Sequence, residues 1–124
     1  MGTLGAEIAE VAPGRCVIAA PITAAVGQQA GLAHGGLAFA LGDSAAGFAA
    51  FTSLEPDMDV VTIEMKIQFL APALGQRLVA EGRVMRPGKR IIPVEADVFA
   101  EGEGADRIRV AHLTGTMLPV ARQH

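Results

Sequence analysis

From Val60 to Leu70 the chain alternates between apolar and polar positions. Ile63, Met65, Ile67 and Phe69 point one way, and Thr62, Glu64, Lys66 and Gln68 point the other. A period of two over this length predicts a strand with one face in a core. Gly35 to Thr52 is rich in Leu, Ala and Phe, and its length and Ala content predict a helix. Its faces are apolar nearly all round, so the expectation is a helix buried on every side. Residues 15–23 predict a short strand, and residues 24–33, with Gly27, Gln28, Gln29 and Gly31, a loop. After a turn-rich break over 53–59 and the strand at 60–70, Pro72 and Gly75 interrupt the chain. Further strands are expected at 76–85, 90–100 and 109–118, and the four strands from Val60 onward are expected to be joined by short, hairpin-like turns, at Pro72 to Gly75, at Pro87-Gly88 and at Gly102 to Gly104.

The order is strand, long helix, then four strands, with no repeat, linker or low-complexity tract. The chain of 124 residues reads as one α+β domain spanning 1–124. A single apolar helix is not hidden by a flat sheet, so the economical arrangement is an antiparallel sheet curled around it.

Composition narrows the picture. With five Phe and neither Trp nor Tyr, the core is expected to be aliphatic and Ala-rich. A domain this small buries a limited share of its surface alone, which favours self-association. The net charge of −3 argues against nucleic acid as a partner, because a basic field is the usual footprint. Cys16 has no second cysteine to pair with, which suits a reducing cytoplasm. The N-terminal stretch carries Glu7 and Glu10 and lacks the pattern of a secretory signal. Ala30 to Phe51 could be mistaken for a membrane span, but Asp43 near its centre is unfavourable there by roughly 3 kcal/mol.

Two features point to chemistry. Gly35-Gly36 stands at the expected start of the helix. Early helix amides have no internal partner, and glycines allow close approach of a ligand atom, so this pair is a candidate carbonyl or oxyanion site. Asp43 is the second feature. A carboxylate in an apolar helix is costly unless it is paired. Positions 39, 40, 46 and 47 are Phe, Ala, Ala and Gly, so no cation lies one turn away. Along one helix, Gly35 and Asp43 are ~12 Å apart, too far to act on one carbonyl. If both serve one reaction, the amide comes from one chain and the carboxylate from another. That implies a two-fold dimer with composite sites.

His34-Gly35-Gly36, followed by Asp43-Ser44-Ala45, Gly47 and Ala49-Ala50, resembles the phenylacetate-pathway (PaaI-type) hotdog thioesterases. The resemblance continues through Val61 to Ala73, with its Phe69-Leu70-Ala71-Pro72 segment. It resumes at 82–90 and at Glu95-Ala96-Asp97-Val98. It implies the hotdog fold and acyl- or aroyl-CoA thioesters as substrates, with no metal or other cofactor. It also implies a homodimer or a homotetramer built from dimers. By the same resemblance the Gly35 amide polarises the thioester carbonyl, Asp43 acts as general base or nucleophile, and Thr62 helps place the water. Many members carry Asn six residues before the motif histidine; this chain has Gln28, followed by Gln29. His34 is implied to orient the loop, Gly36 to line the substrate site, and Arg86, Lys89 and Arg90 to meet the CoA phosphates.

In this reading Leu37, Phe39, Leu41 and Phe48 wall the acyl chain. Met65, Met85 and Met117 are assigned to the core, His112 to a strand face, and Cys16 to packing. Two other readings stand beside the hydrolase. A hotdog enoyl-CoA hydratase would want an Asp and His pair near one helix start. A non-catalytic acyl-CoA sensor could keep the pocket and dispense with Asp43.

Overall fold

The computed structural model describes residues 5–22, 30–102 and 106–122, with the backbone alone for 30–34. The elements in chain order are β1 (Glu7–Ala12), β2 (Arg15–Pro21), α1 (Ala30–Phe51), β3 (Met58–Phe69), β4 (Arg77–Val84), β5 (Ile92–Glu101) and β6 (Arg107–Ala121). Among the described residues the strands form one six-stranded antiparallel sheet in the order β1-β2-β4-β5-β6-β3. The helix lies across it, chiefly on β4, β2 and β5. This is the expected α+β, hotdog arrangement.

Four details depart from the sequence reading. The strand β1 was not foreseen. Its register shifts between Ile8 and Glu10, so the irregularity destroys the alternation that would have betrayed it. The link from β3 to β4 is not a hairpin, because β3 pairs with β6 at the far edge. Residues 70–76 therefore carry the chain back across the end of the sheet. They are tied there by Leu70 N–H to Val110 O and Gln76 N–H to Glu101 O, both 2.8 Å. The helix begins at Ala30, so 30–33 are helical rather than loop, and Gly35 sits in the second turn rather than at the start. Ala30, Leu32 and Ala33 are good helix formers with no proline to stop them. Finally, the helix is not buried all round.

That last correction follows from side-chain size. Residues 30–51 contain no β-branched residue, which suits a helix, but five glycines each weaken it by about 1 kcal/mol relative to Ala. Packing must hold it. The face toward the sheet is built of Ala38, Leu41, Ala45, Ala46, Ala49 and Ala50, all essentially buried. Phe39, Phe48 and Phe51 lie outside that contact, 37%, 39% and 39% exposed, with Phe39 about half a turn around the axis from Phe48. Hydropathy is even around the helix; only bulk separates its faces. The small face permits a very close approach. An ideal Cβ at Gly82 of β4 would lie 2.3 Å from the Ala45 carbonyl carbon and 2.4 Å from the Ala46 nitrogen. At Gly42 a Cβ would meet Leu113 Cδ1 at 2.6 Å.

The core between helix and sheet is aliphatic as expected: Ile18, Leu78, Ile92, Val94, Val98 and Leu113 are fully buried. Cys16 is buried among them, and burial pushes its thiol pKa up. Met117 is in this core and Met65 packs against it, whereas Met85 is exposed, contrary to expectation. Met85 follows the end of β4, outside the regular sheet.

The outer face of the sheet carries a charged network. Asp97 is 7% exposed and accepts hydrogen bonds from Arg83 Nη2 at 2.8 Å and Arg109 Nη1 at 3.2 Å. Its Oδ1 is also 2.7 Å from His112 Nδ1. Glu95 accepts a second bond from Arg83 Nε at 2.7 Å. Burial by itself would raise the Asp97 carboxyl. The hydrogen bonds and charges of His112 and Arg83 outweigh it and hold the group below the usual carboxylate range.

Two outcomes follow. Gly82→Ala forces the helix off β4 and is expected to destabilise the chain by about 1–3 kcal/mol in urea unfolding; an unchanged midpoint would mean the helix is not seated there. For Asp97 the folded pKa is depressed, so its stabilisation is complete above the unfolded value near 3.9 and disappears as pH falls through the lower folded value. Asp97→Asn should therefore be less stable than wild type at pH 6, with the gap closing as pH drops below about 4. A gap independent of pH in parallel urea titrations would contradict this.

Candidate functional site

The acid that stood out in the sequence meets a hydroxyl from the next element. Thr62 Oγ1 donates to Asp43 Oδ1 at 3.0 Å. Strict alternation along β3 would have turned Thr62 away from the helix. A bulge prevents this: the pairing with β6 shifts between Thr62 and Glu64, so Thr62 lies opposite Met117 while Glu64 lies opposite Thr116. Ile63, expected in the core, is the extra residue and is 56% exposed. Val60 before the bulge and Met65 and Ile67 after it pack against the core. The irregularity thus re-aims Thr62 toward the helix without moving the rest of the strand, as bulges beside functional sites commonly do.

Asp43 is half-buried, on the flank of the helix facing β3, and among the described residues no ion pair involves it. One carboxylate oxygen is engaged by Thr62, and the group opens onto a cavity of ≈ 300 Å³ between α1 and β3. Gly47, Phe48 and Phe51 line it from the helix, Val60 from β3 and Met117 from β6. Ser44 and Asp59 also face it; Asp59 takes the Val60 amide on its own Oδ1 at 2.8 Å. Arg122 stands over the Phe51 ring, 5.7 Å from its centroid. Such a site offers a carboxylate able to accept a proton from water, a hydroxyl to orient that water, and an apolar wall beside both.

The other expected residues distribute as follows. Gly35 and Gly36 are on the same helix as Asp43, two turns earlier, and the Gly35 amide falls within the helical ladder. An ideal Cβ at Gly35 would touch the Phe69 ring at 3.4 Å, whereas one at Gly36 meets nothing within 4 Å. Gln28 and the His34 side chain lie outside the described residues. Arg86, Lys89 and Arg90 are exposed on the β4–β5 loop, where they border a second cavity of ≈ 520 Å³. Lys89 and Gly88 also reach the 53–58 segment, beyond the C-terminal end of α1.

Of the expected acyl walls, Phe48 lines the cavity, whereas Phe39 is exposed about half a turn around the helix from it. Leu37 and Leu41 instead point into the core, at 4% and 0% exposure. Phe51, Val60, Met117 and Asp59 were not foreseen as site residues. Asp59 looked like part of a turn, and Met117 like core alone. A signal existed for Phe51 alone: the four-residue step from Asp43 through Gly47 to Phe51 places all three on one flank.

Among the described residues no three His, Cys, Asp or Glu side chains gather as a metal site, and no helix is long and apolar enough to cross a membrane.

Comparison with known proteins shows the family. The model of the thioesterase superfamily matches residues 30–106. The chain is 33% identical over 101 residues to a 1,4-dihydroxy-2-naphthoyl-CoA hydrolase of Listeria monocytogenes, a match covering 82% of each protein. It superposes with a TM-score of 0.91 on the crystal structure of a thioesterase family protein from Silicibacter pomeroyi, at 34% identity over 98% of this chain and 88% of the other. The PaaI protein of the E. coli phenylacetic acid degradation operon shares the fold, with a TM-score of 0.80 at 24% identity over 98% of this chain and 84% of that one. With the matched segment running from the helix that carries Asp43 through the strand that supplies Thr62 and on to β5, the chain belongs to the thioesterase superfamily and is a thioester hydrolase of the hotdog fold.

Proposed function

We propose that this protein hydrolyses acyl- or aryl-acyl-CoA thioesters to the free acid and CoA, with Asp43 as the reacting carboxylate. The observation that carries the reading is the Thr62 hydroxyl 3.0 Å from a cation-free Asp43 at the mouth of an apolar cavity. Asp43 takes a proton from water as that water adds to the carbonyl carbon, and collapse of the adduct expels the CoA thiolate, which takes up that proton to leave as the thiol. Alternatively Asp43 adds to the carbonyl carbon directly and the thiolate leaves; water then hydrolyses the resulting acyl-Asp43 anhydride, which releases the acid and restores the carboxylate. Thr62 orients the water or the carboxylate. The similarity to a naphthoyl-CoA hydrolase supports CoA thioesters as the substrate class.

In this proposal the carbonyl oxygen is polarised near Gly35, from the side left open at Gly36. With α1 running from Ala30, the Gly35 amide can serve only as a shared donor or after the preceding turn opens on binding. Gln28 and His34 fix that approach, and Arg86, Lys89 and Arg90 take the CoA phosphates. The working unit is a homodimer, or a tetramer of two dimers, in the cytoplasm. Two features support a second copy as partner: the exposed Phe48 and Phe51 on one side of the helix, and the apolar edge strand β3 with Val61 and Ile63 exposed. Two antiparallel helices brought together there would set one chain's Gly35 near the other's Asp43.

The test is thiol release from short, long and aryl acyl-CoAs. Asp43→Asn should lower kcat by about 100-fold or more while substrate still binds, the scale expected for losing a positioned base. Thr62→Ala should lower it less. Undiminished turnover by Asp43→Asn would refute the assignment. Binding by wild type without thiol release would point to an acyl-CoA sensor. In light scattering the protein should run as a multiple of the chain mass, and a lone chain that remains fully active would overturn the composite site.

A further inference from the structure

Among the helix glycines with described surroundings, Gly42 is required by packing, since a Cβ there would drive into Leu113. Gly47 is different. A Cβ at Gly47 would sit 3.8 Å from Met117 Cε and 4.0 Å from its Sδ, which is ordinary van der Waals contact. Its φ is not in the left-handed region, and alanine would be the better helix former. Within the chain, neither packing nor backbone conformation calls for glycine at this position. What a side chain would fill is the cavity beside Asp43.

The spacing along that cavity is regular. Gly47 follows Asp43 by one turn, roughly 6 Å along the axis, and Phe51 follows Gly47 by the same step. On the facing strand, Thr62 to Val60 covers a similar roughly 6.6 Å. The slot therefore has its reactive pair, Asp43 and Thr62, at one end, and the Phe51 ring backed by Arg122 at the other. Gly47 is the vacant position between them, with the Met117 thioether beside it. Phe48, Phe51 and a methionine sulfur are favourable neighbours for the face or edge of an aromatic ring. Asp59 at the slot disfavours acyl groups that carry a second carboxylate.

We propose that Gly47 is a specificity-determining residue, and that its absent side chain is the space taken by the body of an uncharged, ring-bearing acyl group lying along α1 from Asp43 toward Phe51. This rests on the hydrolase reading with Asp43 at the reacting carbon and adds to it where the acyl group lies and what limits its size. A methyl group placed at 47 narrows the slot, and an isopropyl group closes it to a ring while a two- or three-carbon acyl group still reaches Asp43.

The test is the ratio of kcat/KM for phenylacetyl-CoA to that for propionyl-CoA in wild type, Gly47→Ala and Gly47→Val. The ratio should fall about threefold in Gly47→Ala and at least about tenfold in Gly47→Val, the range by which pockets discriminate one or a few carbons. Gly47→Ala should melt no lower than wild type, which separates selectivity from misfolding. A ratio unchanged in both variants, or two activities that fall together, would overturn the proposal. Failure of the hydrolase reading looks different: wild type would release no thiol from either substrate. In that event the non-hydrolysable thioethers phenacyl-CoA and acetonyl-CoA, titrated by calorimetry, read the same slot. A Gly47→Val change of at least about tenfold in their Kd ratio supports the placement, and an unchanged ratio overturns it.

Discussion

The contact of helix backbone with strand backbone at Gly82 and Ala45-Ala46 governs the rest of this molecule. A Cβ at 82 would fall 2.3 Å from the helix main chain, so the helix rests on β4 with nothing between them. That seating fixes the rotation of α1. Its alanines go down into the sheet, its phenylalanines stay outside that contact, and Asp43 is left on the flank beside β3. A helix held this tightly tolerates five glycines that would weaken it in isolation. Two of those glycines, 36 and 47, are then free to shape open space rather than to pack.

The second determinant is local. The bulge at Ile63 costs β3 one residue of regular pairing and turns Thr62 to the helix, where it meets Asp43. Seating and bulge act on different elements, yet the 3.0 Å contact needs both. A helix rotated by one residue, or a strand without the irregularity, would separate the acid from its hydroxyl. The outer face of the sheet is independent of this arrangement. There Asp97 gathers Arg83, Arg109 and His112 across three strands and contributes to holding the sheet rather than to the cavity.

Much of this was legible in the sequence. The alternation after Ile63, the Ala-rich helix and the Pro87-Gly88 break between two strands are local signals, and they led to the α+β sheet-on-helix arrangement; the connection there is a loop over 85–91 rather than a tight turn. Asp43 stood out because a carboxylate in apolar company is costly. What escaped were properties that period alone does not encode. Hydropathy could not tell the two faces of α1 apart because Ala and Phe are both apolar; size separates them. A period of two gives no sign of where it slips, so Ile63 and Thr62 were assigned to the wrong faces and β1 was missed. The hairpin expected between β3 and β4 failed because pairing order depends on the whole sheet, not on the turn. Gly35 was set at a helix start because the glycines looked like a boundary, although the alanines and leucine before them extend the helix to Ala30.

The account's central claim is that one chain's carboxylate works with the partner's early helix turns, and mixing two disabled chains tests it most directly. Asp43→Asn and Gly35→Val chains carrying different tags would be refolded together and the doubly tagged dimers purified. Each such dimer contains one site with both defects and one site with neither. About half of wild-type thiol release per dimer is therefore expected, from two parents that are each nearly inactive. If the site lies within a single chain, the purified mixed dimers would be as inactive as their parents, and that result would contradict the account.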